Sequence, residues 1–391
     1  MKKSVNLFYR LNFWRSFTLY GSFWSLILLG RGFTIGQFAL YVAVVHVIQI
    51  LSEMPSGFLC EKIGNRTIVQ LSTIIWIFAI MLTISVHSLP VMLFIAALNG
   101  FTNALQTDTT TDILYAFLKK KRQLSQYSRC IAVYNTSGFM GSAMGALGGS
   151  LLASHFSLTT TLWFTIPLQL IYLLHTTQLP NFLKPTSDRL TTKQIWACCQ
   201  QTLHSTYLKA IITAAALIFS LNWLVWYYYQ AYAQDIQLSL GFIGILGFIL
   251  SLCEALPQLI ITKKKQQPHF FYPVIILATS TCLLLSGLLH NQLGLFLLFT
   301  AVTLTGFSFP ISDKLIQKHI TTRYRSPIRA VSTTISLIAY ALANLFFGAL
   351  ADHYGIFVAF ALIGASFIIV TFYLAIALYP DRKKPQLRTR N

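Results

Sequence analysis

Five acidic residues lie within or near the ends of stretches that are otherwise strongly apolar. They are Glu53, Asp108, Asp112, Glu254 and Asp313. A carboxylate at the centre of a lipid bilayer costs about 2.5–3.5 kcal/mol on insertion scales, so such residues are usually retained for a transport pathway, a proton or a partner. Asp108 and Asp112 are one helical turn apart, and two neighbouring carboxylates in a poorly hydrated site favour proton uptake. The acids predict a proton or cation site, with structural hydrogen bonding as the alternative for Glu53 and helix capping as the alternative for the Asp pair.

Polar side chains recur on the same helical faces as these acids. His46 and Gln49 share a face with Glu53, because residues three, four and seven apart lie on one side of a helix. The stretch around Asp108 has two polar stripes on opposite faces, formed by Asn99, Asn103, Gln106 and Thr110 and by Asp108, Asp112 and Tyr115. A helix that is polar on both sides cannot face lipid with either, so one stripe is expected to line a water-filled cavity and the other to pack against a helix. Both assignments stay open at this point.

The densest aromatic run is NWLVWYYYQAY, residues 222–232, which contains Trp223 and Tyr227. Aromatic residues collect where a transmembrane helix reaches the membrane surface, and this accounts for part of the run. The run covers more than one face of a helix, so some of its rings are expected to point into the protein. An aromatic inner wall suits a hydrophobic or cationic organic substrate.

Apolar stretches of about 20 residues recur along the chain, and a helix of that length crosses a bilayer. Of the 391 residues, 55% are hydrophobic and 10% are charged, whereas a soluble domain has about 25% charged residues. We predict twelve transmembrane helices, at 11–30, 37–58, 67–87, 90–118, 129–153, 158–178, 208–232, 240–262, 270–289, 293–316, 328–351 and 355–379. The first follows a short basic start without a small-residue cleavage site, so we predict a retained helix and not a signal peptide.

The formal net charge of +19 reflects membrane topology and not a nucleic-acid partner. If both termini are cytoplasmic, every Lys and Arg except Arg31 falls on the cytoplasmic side of the twelve-helix arrangement. Basic residues on one side are typical of membrane proteins, in which cytoplasmic loops are rich in Lys and Arg. We therefore predict cytoplasmic termini and a lipid bilayer as the surroundings.

The two halves of the sequence resemble each other at an offset near 200 residues. LSEMPSGFL at 51–59 matches LCEALPQLI at 252–260, which aligns Glu53 with Glu254, and Arg129 aligns with Arg329. Each half has six predicted helices, so both enter the membrane in the same orientation, as in transporters whose site lies between two parallel repeats. We predict an all-α integral membrane fold with an N-terminal six-helix bundle at 1–178, a cytoplasmic linker at 179–207, and a C-terminal bundle at 208–391 with a basic tail.

Twelve helices in two parallel repeats, with a charged loop after the second helix, resemble the major facilitator superfamily. The loop signature of that family is Gly-x-Leu-Ala-Asp-Arg-x-Gly-Arg-Lys, and residues 57–66 read Gly-Phe-Leu-Cys-Glu-Lys-Ile-Gly-Asn-Arg. Gly57, Leu59 and Gly64 are retained, and we expect both glycines in a tight turn. The resemblance implies transport by alternating access.

The resemblance also implies a latch that holds the cytoplasmic side shut. An acid at Glu61 can accept hydrogen bonds from a helix N-terminus, where the helix dipole is positive, and in the family that terminus belongs to helix eleven. A solvated loop charge is the alternative reading of Glu61. The predicted gating residues are Gly57, Glu61, Lys62, Gly64, Arg66, Arg129 and Arg329.

The sequence only partly matches the drug-antiporter branch of the family. Ala96 occupies the position of the branch's Arg in helix four, and the fifth span reads Met-Gly-Ala-Leu-Gly-Gly at 144–149 without the branch's Pro. Gly138, Gly141, Gly145 and Gly148 still favour close helix packing at three- and four-residue spacing.

Enzymatic chemistry has no support in the sequence. It contains no His-Glu-x-x-His, no Gly-x-Ser-x-Gly and no phosphate-binding loop, and the six cysteines have no metal-site spacing. We predict no cofactor and no metal. A non-transporting sensor is a further alternative.

The function expected from the sequence is proton-coupled export of a small hydrophobic or amphiphilic compound. We expect a monomeric protein of a bacterial plasma membrane, with protons as the coupling ion and a small molecule as substrate. Import of a small solute is the alternative. The expected coupling and cavity residues are Asp108, Asp112, Glu53, Glu254, His46, Trp223 and Tyr227.

Overall fold

The secondary structure of the described residues is helical. The computed structural model describes residues 2–106, 109–123, 126–180, 206–260, 268–308 and 325–378. The α-helices are α1 Lys2–Ser16, α2 Trp24–Leu29, α3 Ile35–Ile63, α4 Asn65–Ile84, α5 Leu89–Gln106, α6 Thr109–Lys120, α7 Tyr127–His155, α8 Leu158–Thr176, α9 Thr206–Asp235, α10 Leu240–Ile260, α11 Pro268–Leu289, α12 Gln292–Gly306, α13 Arg325–Tyr354 and α14 Ile356–Leu378, with a 3₁₀ turn at Gly21–Phe23.

These helices correspond to the twelve predicted spans, which confirms the predicted fold class. Seven segments of the described chain are long and apolar enough to cross a membrane, and α10 and α12 contain shorter apolar helices. The predicted first span is not a single helix: α1 ends at Ser16 and α2 begins at Trp24, with the 3₁₀ turn between them. Hydropathy does not detect this break because the residues on both sides of it are apolar.

Helix α3 is longer than predicted, and this corrects the position of one glycine. It continues to Ile63, so Gly57 lies inside the helix and not in the turn. Gly64 forms the turn, with φ of 86°, and α4 begins at the next residue. A hydrogen bond from Cys60 Sγ to Asn65 Oδ1 spans this turn. One residue with positive φ is therefore enough to reverse the chain here.

Side-chain caps begin several of the helices. The Thr34 hydroxyl accepts a hydrogen bond from Gln37 N at 3.1 Å, and Gln37 Oε1 accepts one from Thr34 N at 3.1 Å, so α3 starts with a capping box. Asn291 accepts from two backbone amides at the start of α12. Arg31 donates to Ile84 O at 3.2 Å, where the negative end of the α4 dipole favours a cation.

Helix α7 packs directly on the backbone of the first span. A Cβ atom on Gly141 would collide with Phe13 O, and one on Gly149 would collide with Leu19 O. The predicted small-residue packing along this helix is thereby confirmed, because the backbones approach too closely for any larger side chain.

The two halves of the chain contact each other along two helix pairs, α3 with α13 and α7 with α10. Asn344 Nδ2 donates to Ala39 O at 2.8 Å, and Ser150 Oγ donates to Gly241 O at 2.5 Å. Ser150 and Ser154 of α7 lie directly against Gly241 and Gly244 of α10. These contacts lie towards the end of the molecule where α2 joins α3 and α13 joins α14, which we name the closed end.

Candidate functional site

A chain of aromatic side chains crosses from one half of the protein to the other. We name it the aromatic network; its members are Tyr20, Trp24, Phe38, Tyr41 and His46 from the N-terminal half, and Phe219, Trp223, Trp226, Tyr227 and Tyr340 from the C-terminal half. Two contacts among these residues join the halves, and Phe38 also contacts Tyr228 of α9, with ring centroids 5.6 Å apart. The Phe38 and Tyr227 ring centroids are 5.7 Å apart, and the His46 and Tyr340 centroids are 5.1 Å apart.

Helical spacing explains why α9 contributes so many of these rings. Phe219, Trp223 and Tyr227 follow one another at four-residue intervals and so lie on one face. Trp223 and Tyr227 are half-buried. Tyr227 also stacks on Tyr340 of α13, with centroids 6.4 Å apart and an interplanar angle of 18°. The rings thus lie between the halves, in agreement with the expectation that some rings of the run point into the protein.

Glu254 lies against the adjacent face of α9. Its Oε2 accepts a hydrogen bond from Trp226 Nε1 at 2.9 Å. Asn222, one turn before Trp226, also lies beside the carboxylate. Among the described residues no Lys or Arg forms an ion pair with Glu254, whose carboxylate is half-buried. A carboxylate without an ion pair beside an indole ring is a typical site for an organic cation or a proton.

Asn222 has unused hydrogen-bonding capacity at this site. Its Oδ1 lies 2.7 Å from Thr305 Oγ1 of α12, while its Nδ2 is buried without a hydrogen-bond partner in the described part of the chain. The Tyr340 hydroxyl is likewise buried and unpartnered. A buried polar group without a partner costs about 1–3 kcal/mol. A bound molecule that accepts these hydrogen bonds would recover that cost.

The N-terminal half supplies a second group of polar side chains. His46 Nδ1 lies 3.3 Å from Gln49 Oε1, as their shared face predicted. Asn99 Nδ2 donates to the Tyr41 hydroxyl at 2.7 Å. Glu53 lies one turn beyond Gln49 and is half-buried.

One polar stripe of the predicted fourth span packs against neighbouring helices. Asn99 faces α3 through Tyr41, and Gln106 Nε2 donates to Ser72 Oγ of α4 at 2.9 Å. Gln106 and Thr110 are both buried. This stripe is therefore mostly structural. Asp108, in the opposite stripe, lies outside the described residues, and so does the side chain of Asp112.

The predicted gating residues divide into described and undescribed groups. Gly64 forms the α3–α4 turn, Lys62 is exposed, and Arg66 is half-buried. Glu61, Arg129 and Arg329 lie in helices, but their side chains are outside the part of the chain that the structure describes. Asp313 also lies outside the described residues.

At the closed end, hydrogen bonds between Ser25 and Gln230 join the two halves; we refer to them as the seal. Gln230 Oε1 of α9 accepts from Ser25 Oγ at 2.8 Å and from Ser25 N at 3.1 Å. Ser25 and Gln230 are both buried. The aromatic network lies directly beneath this seal, because Tyr227 is one turn before Gln230. Within the described ranges, no group of three or more His, Cys, Asp and Glu side chains is placed to bind a metal ion.

Sequence reasoning missed several residues of this site. Tyr41, Tyr340 and Trp24 lie in apolar spans among many other aromatic residues and had no local signal. The Trp226–Glu254 hydrogen bond joins residues 28 positions apart on different helices. Contacts of this kind depend on how helices pack, and spacing within one helix does not reveal them.

Apolar helices long enough to cross a membrane, with aromatic rings in contact between the two halves of the chain, have the architecture of a membrane transport protein. The chain belongs to the Major Facilitator Superfamily, whose sequence profile matches residues 11–343.

Solved structures agree with this assignment at the level of the fold. The nucleoside transporter NupG is similar over 96% of this chain and 99% of its own, with 15% identity and a TM-score of 0.73. A D-xylose-proton symporter is similar over 98% and 97%, with 11% identity and a TM-score of 0.73. A POT family transporter in complex with 5-aminolevulinic acid covers 96% of both chains, with 14% identity and a TM-score of 0.72. No curated protein matches the chain in sequence.

Proposed function

We propose that this protein is a proton-coupled secondary transporter that exports a small amphiphilic compound, with the aromatic network and Glu254 as its substrate site. The observation that carries this proposal is the Glu254 carboxylate, which lies beside Trp226 and lacks an ion pair among the described residues. Aromatic faces attract organic cations, and an aromatic wall also accepts planar apolar groups. A cationic or N–H-donating group on the substrate would occupy the carboxylate.

Alternating access follows from where the halves touch. With both termini cytoplasmic, as the basic residues favour, the closed end faces outward, so we assign the described arrangement to a state that is closed to the outside. Substrate then reaches the aromatic network from the cytoplasm. Opening of the closed end requires the Ser25–Gln230 and Asn344–Ala39 contacts to separate, which would release the substrate outside.

Proton coupling is proposed for the acids of the membrane interior. Glu254 can hold either a proton or a cationic substrate, and competition between the two exchanges one for the other. Asp108 and Asp112 are the second candidates for the coupling site. Export, rather than import, is supported by the glycine-rich stretch at 144–149 in helix α7, the fifth predicted span, which partly matches the antiporter branch. A bacterial plasma membrane is the proposed location.

Import of a small polar solute is the second candidate function. Asn99, Gln49 and His46 provide amide and imidazole groups near the aromatic network, and this combination also suits a nucleobase-like solute. The fold neighbours include nucleoside and xylose transporters, and they are consistent with this alternative.

Proton flux in proteoliposomes tests both functions. The purified protein is reconstituted with an internal pH-sensitive dye, and a panel of amphiphilic cations and nucleosides is added from one side. Export in exchange for protons predicts that cations move protons in the opposite direction, whereas symport predicts movement in the same direction. Tyr227→Ala should reduce this flux, and Tyr373→Ala, at a residue 73% exposed on α14, is the matched control. Absence of compound-dependent flux with the whole panel would contradict the proposal.

A further inference from the structure

The end of α13 carries a second copy of the family's loop signature. Residues 348–355 read Gly-Ala-Leu-Ala-Asp-His-Tyr-Gly, which matches Gly-x-Leu-Ala-Asp-Arg-x-Gly at every fixed position except the Arg. This match is better than that of residues 57–64. Gly355 ends α13 with φ of 85°, just as Gly64 ends α3 with φ of 86°. The two helices therefore end in the same way, one in each half of the chain.

Asp352 of this second copy binds the start of α3. Its Oδ1 accepts a hydrogen bond from Gly36 N at 2.9 Å, and its Oδ2 accepts one from Thr34 Oγ1 at 2.7 Å. Gly36 is the second residue of α3, so its N–H has no partner within the helix. The positive end of the helix dipole further favours a carboxylate at this position.

Two glycines let the carboxylate reach the helix. A Cβ atom on Gly36 would collide with Asp352 Oδ2, and one on Gly348 would collide with Ala39 Cβ. The backbones of α3 and α13 are thus in direct contact at the closed end. The geometry is specific to this state, because any separation of the halves here pulls Asp352 away from Thr34 and Gly36.

We propose that Asp352 is an outer latch, a positioning residue that holds the closed end shut in the transport cycle. This inference rests on the alternating access proposed above. Helices α3 and α13 run antiparallel, so the C-terminus of each lies near the N-terminus of the other. The family resemblance assigns Glu61, near the end of α3, to the start of α13, and Asp352 is its counterpart at the opposite end of the same pair. One helix pair then carries a latch for each of the two closed states.

A distance measurement across the closed end tests the latch. Spin labels are attached at Ser88→Cys, between α4 and α5, and Gln292→Cys, at the start of α12; both native residues are exposed. The six native cysteines are first replaced, and the full-length protein is studied in liposomes. Asp352→Asn removes the charge, and Gly36→Ala inserts a methyl group where Oδ2 lies. Loss of charge-assisted hydrogen bonds should raise the ratio of the long to the short distance population by about ten-fold or more.

Asp235→Asn is the matched control, because Asp235 is an exposed acid at the closed end that contacts neither α3 nor α13 through a hydrogen bond among the described residues. It should leave the distances as in the unmodified protein. The proposal is overturned if Asp352→Asn and Gly36→Ala elute as folded protein and give the unmodified distribution, or if Asp235→Asn shifts it equally. If Asp352→Asn does not fold, the distance distribution of Gly36→Ala alone tests the proposal, and an unmodified distribution overturns it. No substrate is needed, so a protein inactive towards the whole compound panel would still show the shift.

Discussion

Replacement of Glu254 by Gln is the most direct perturbation of the candidate site. The amide keeps the size of the side chain and can still accept the hydrogen bond from Trp226 Nε1, which now spans 2.9 Å. The negative charge is lost. Hydrogen bonds to charged groups contribute about 1.5–3 kcal/mol, and every 1.4 kcal/mol corresponds to about a tenfold change in affinity. We therefore expect cationic compounds to bind about ten- to a hundred-fold more weakly, while neutral compounds change little.

Two further variants separate charge from aromatic contact. Trp226→Phe keeps an aromatic ring but removes the N–H that donates to Glu254 Oε2. The negative charge of Glu254 is retained and can still bind a cation. The affinity for cations should therefore fall far less than in Glu254→Gln. Trp163→Phe, at a side chain 56% exposed on α8, controls for loss of an indole in general.

Binding is measured in detergent by the quenching of intrinsic tryptophan fluorescence, with the Trp163→Phe and Trp226→Phe proteins used to correct the signal. The unmodified protein should bind a cationic amphiphile more tightly than its neutral isostere. The reasoning fails if Glu254→Gln binds both compounds as the unmodified protein does. Weakening of both compounds alike would assign Glu254 to the shape of the site and not to recognition of charge.

Three other predictions concern coupling, packing and topology. Asp108→Asn should abolish pH-gradient-driven uptake into inside-out vesicles but leave the thermal stability in detergent unchanged, with Asp112→Asn milder; full transport by Asp108→Asn would exclude it as the coupling residue. Gly149→Val should lower thermal stability, since a side chain there meets the Leu19 carbonyl and overpacking costs about 1–3 kcal/mol; an unchanged melting temperature would contradict that packing. Asn291→Cys should react with an impermeant thiol reagent on intact cells and Lys120→Cys should not; labelling of Lys120→Cys from outside would contradict the proposed orientation.

The sequence alone predicted the features that depend on spacing along one helix. Apolar length predicted the spans, and glycine spacing predicted close packing along α7, although not its partner. The three-residue interval placed His46 and Gln49 on one face, where they are in contact. These patterns follow from helical geometry, which is the same wherever the helix lies in the fold.

Features that join distant helices were not predictable in this way. Asn344 bonds to Ala39 across 305 residues, and Gln230 bonds to Ser25 across 205. Polar residues in apolar spans indicate that partners exist but do not identify them. The position of Gly57 was wrong for a different reason: a glycine in a signature was assigned to the turn, whereas the helix tolerates it and only Gly64 needs a positive φ.

The contact between α7 and α10 has a consequence for the rate of the transport cycle. Ser150 and Ser154 lie against Gly241 and Gly244, so the two helices meet through small residues at these positions. Helices that meet through small residues can move relative to each other with fewer rotamer changes than interdigitated side chains would require. The activation barrier between the two access states is then determined mainly by the few hydrogen bonds that must break at the closed end, including Ser150–Gly241. Turnover should respond steeply to loss of these bonds and weakly to changes of side-chain size elsewhere along α7 and α10.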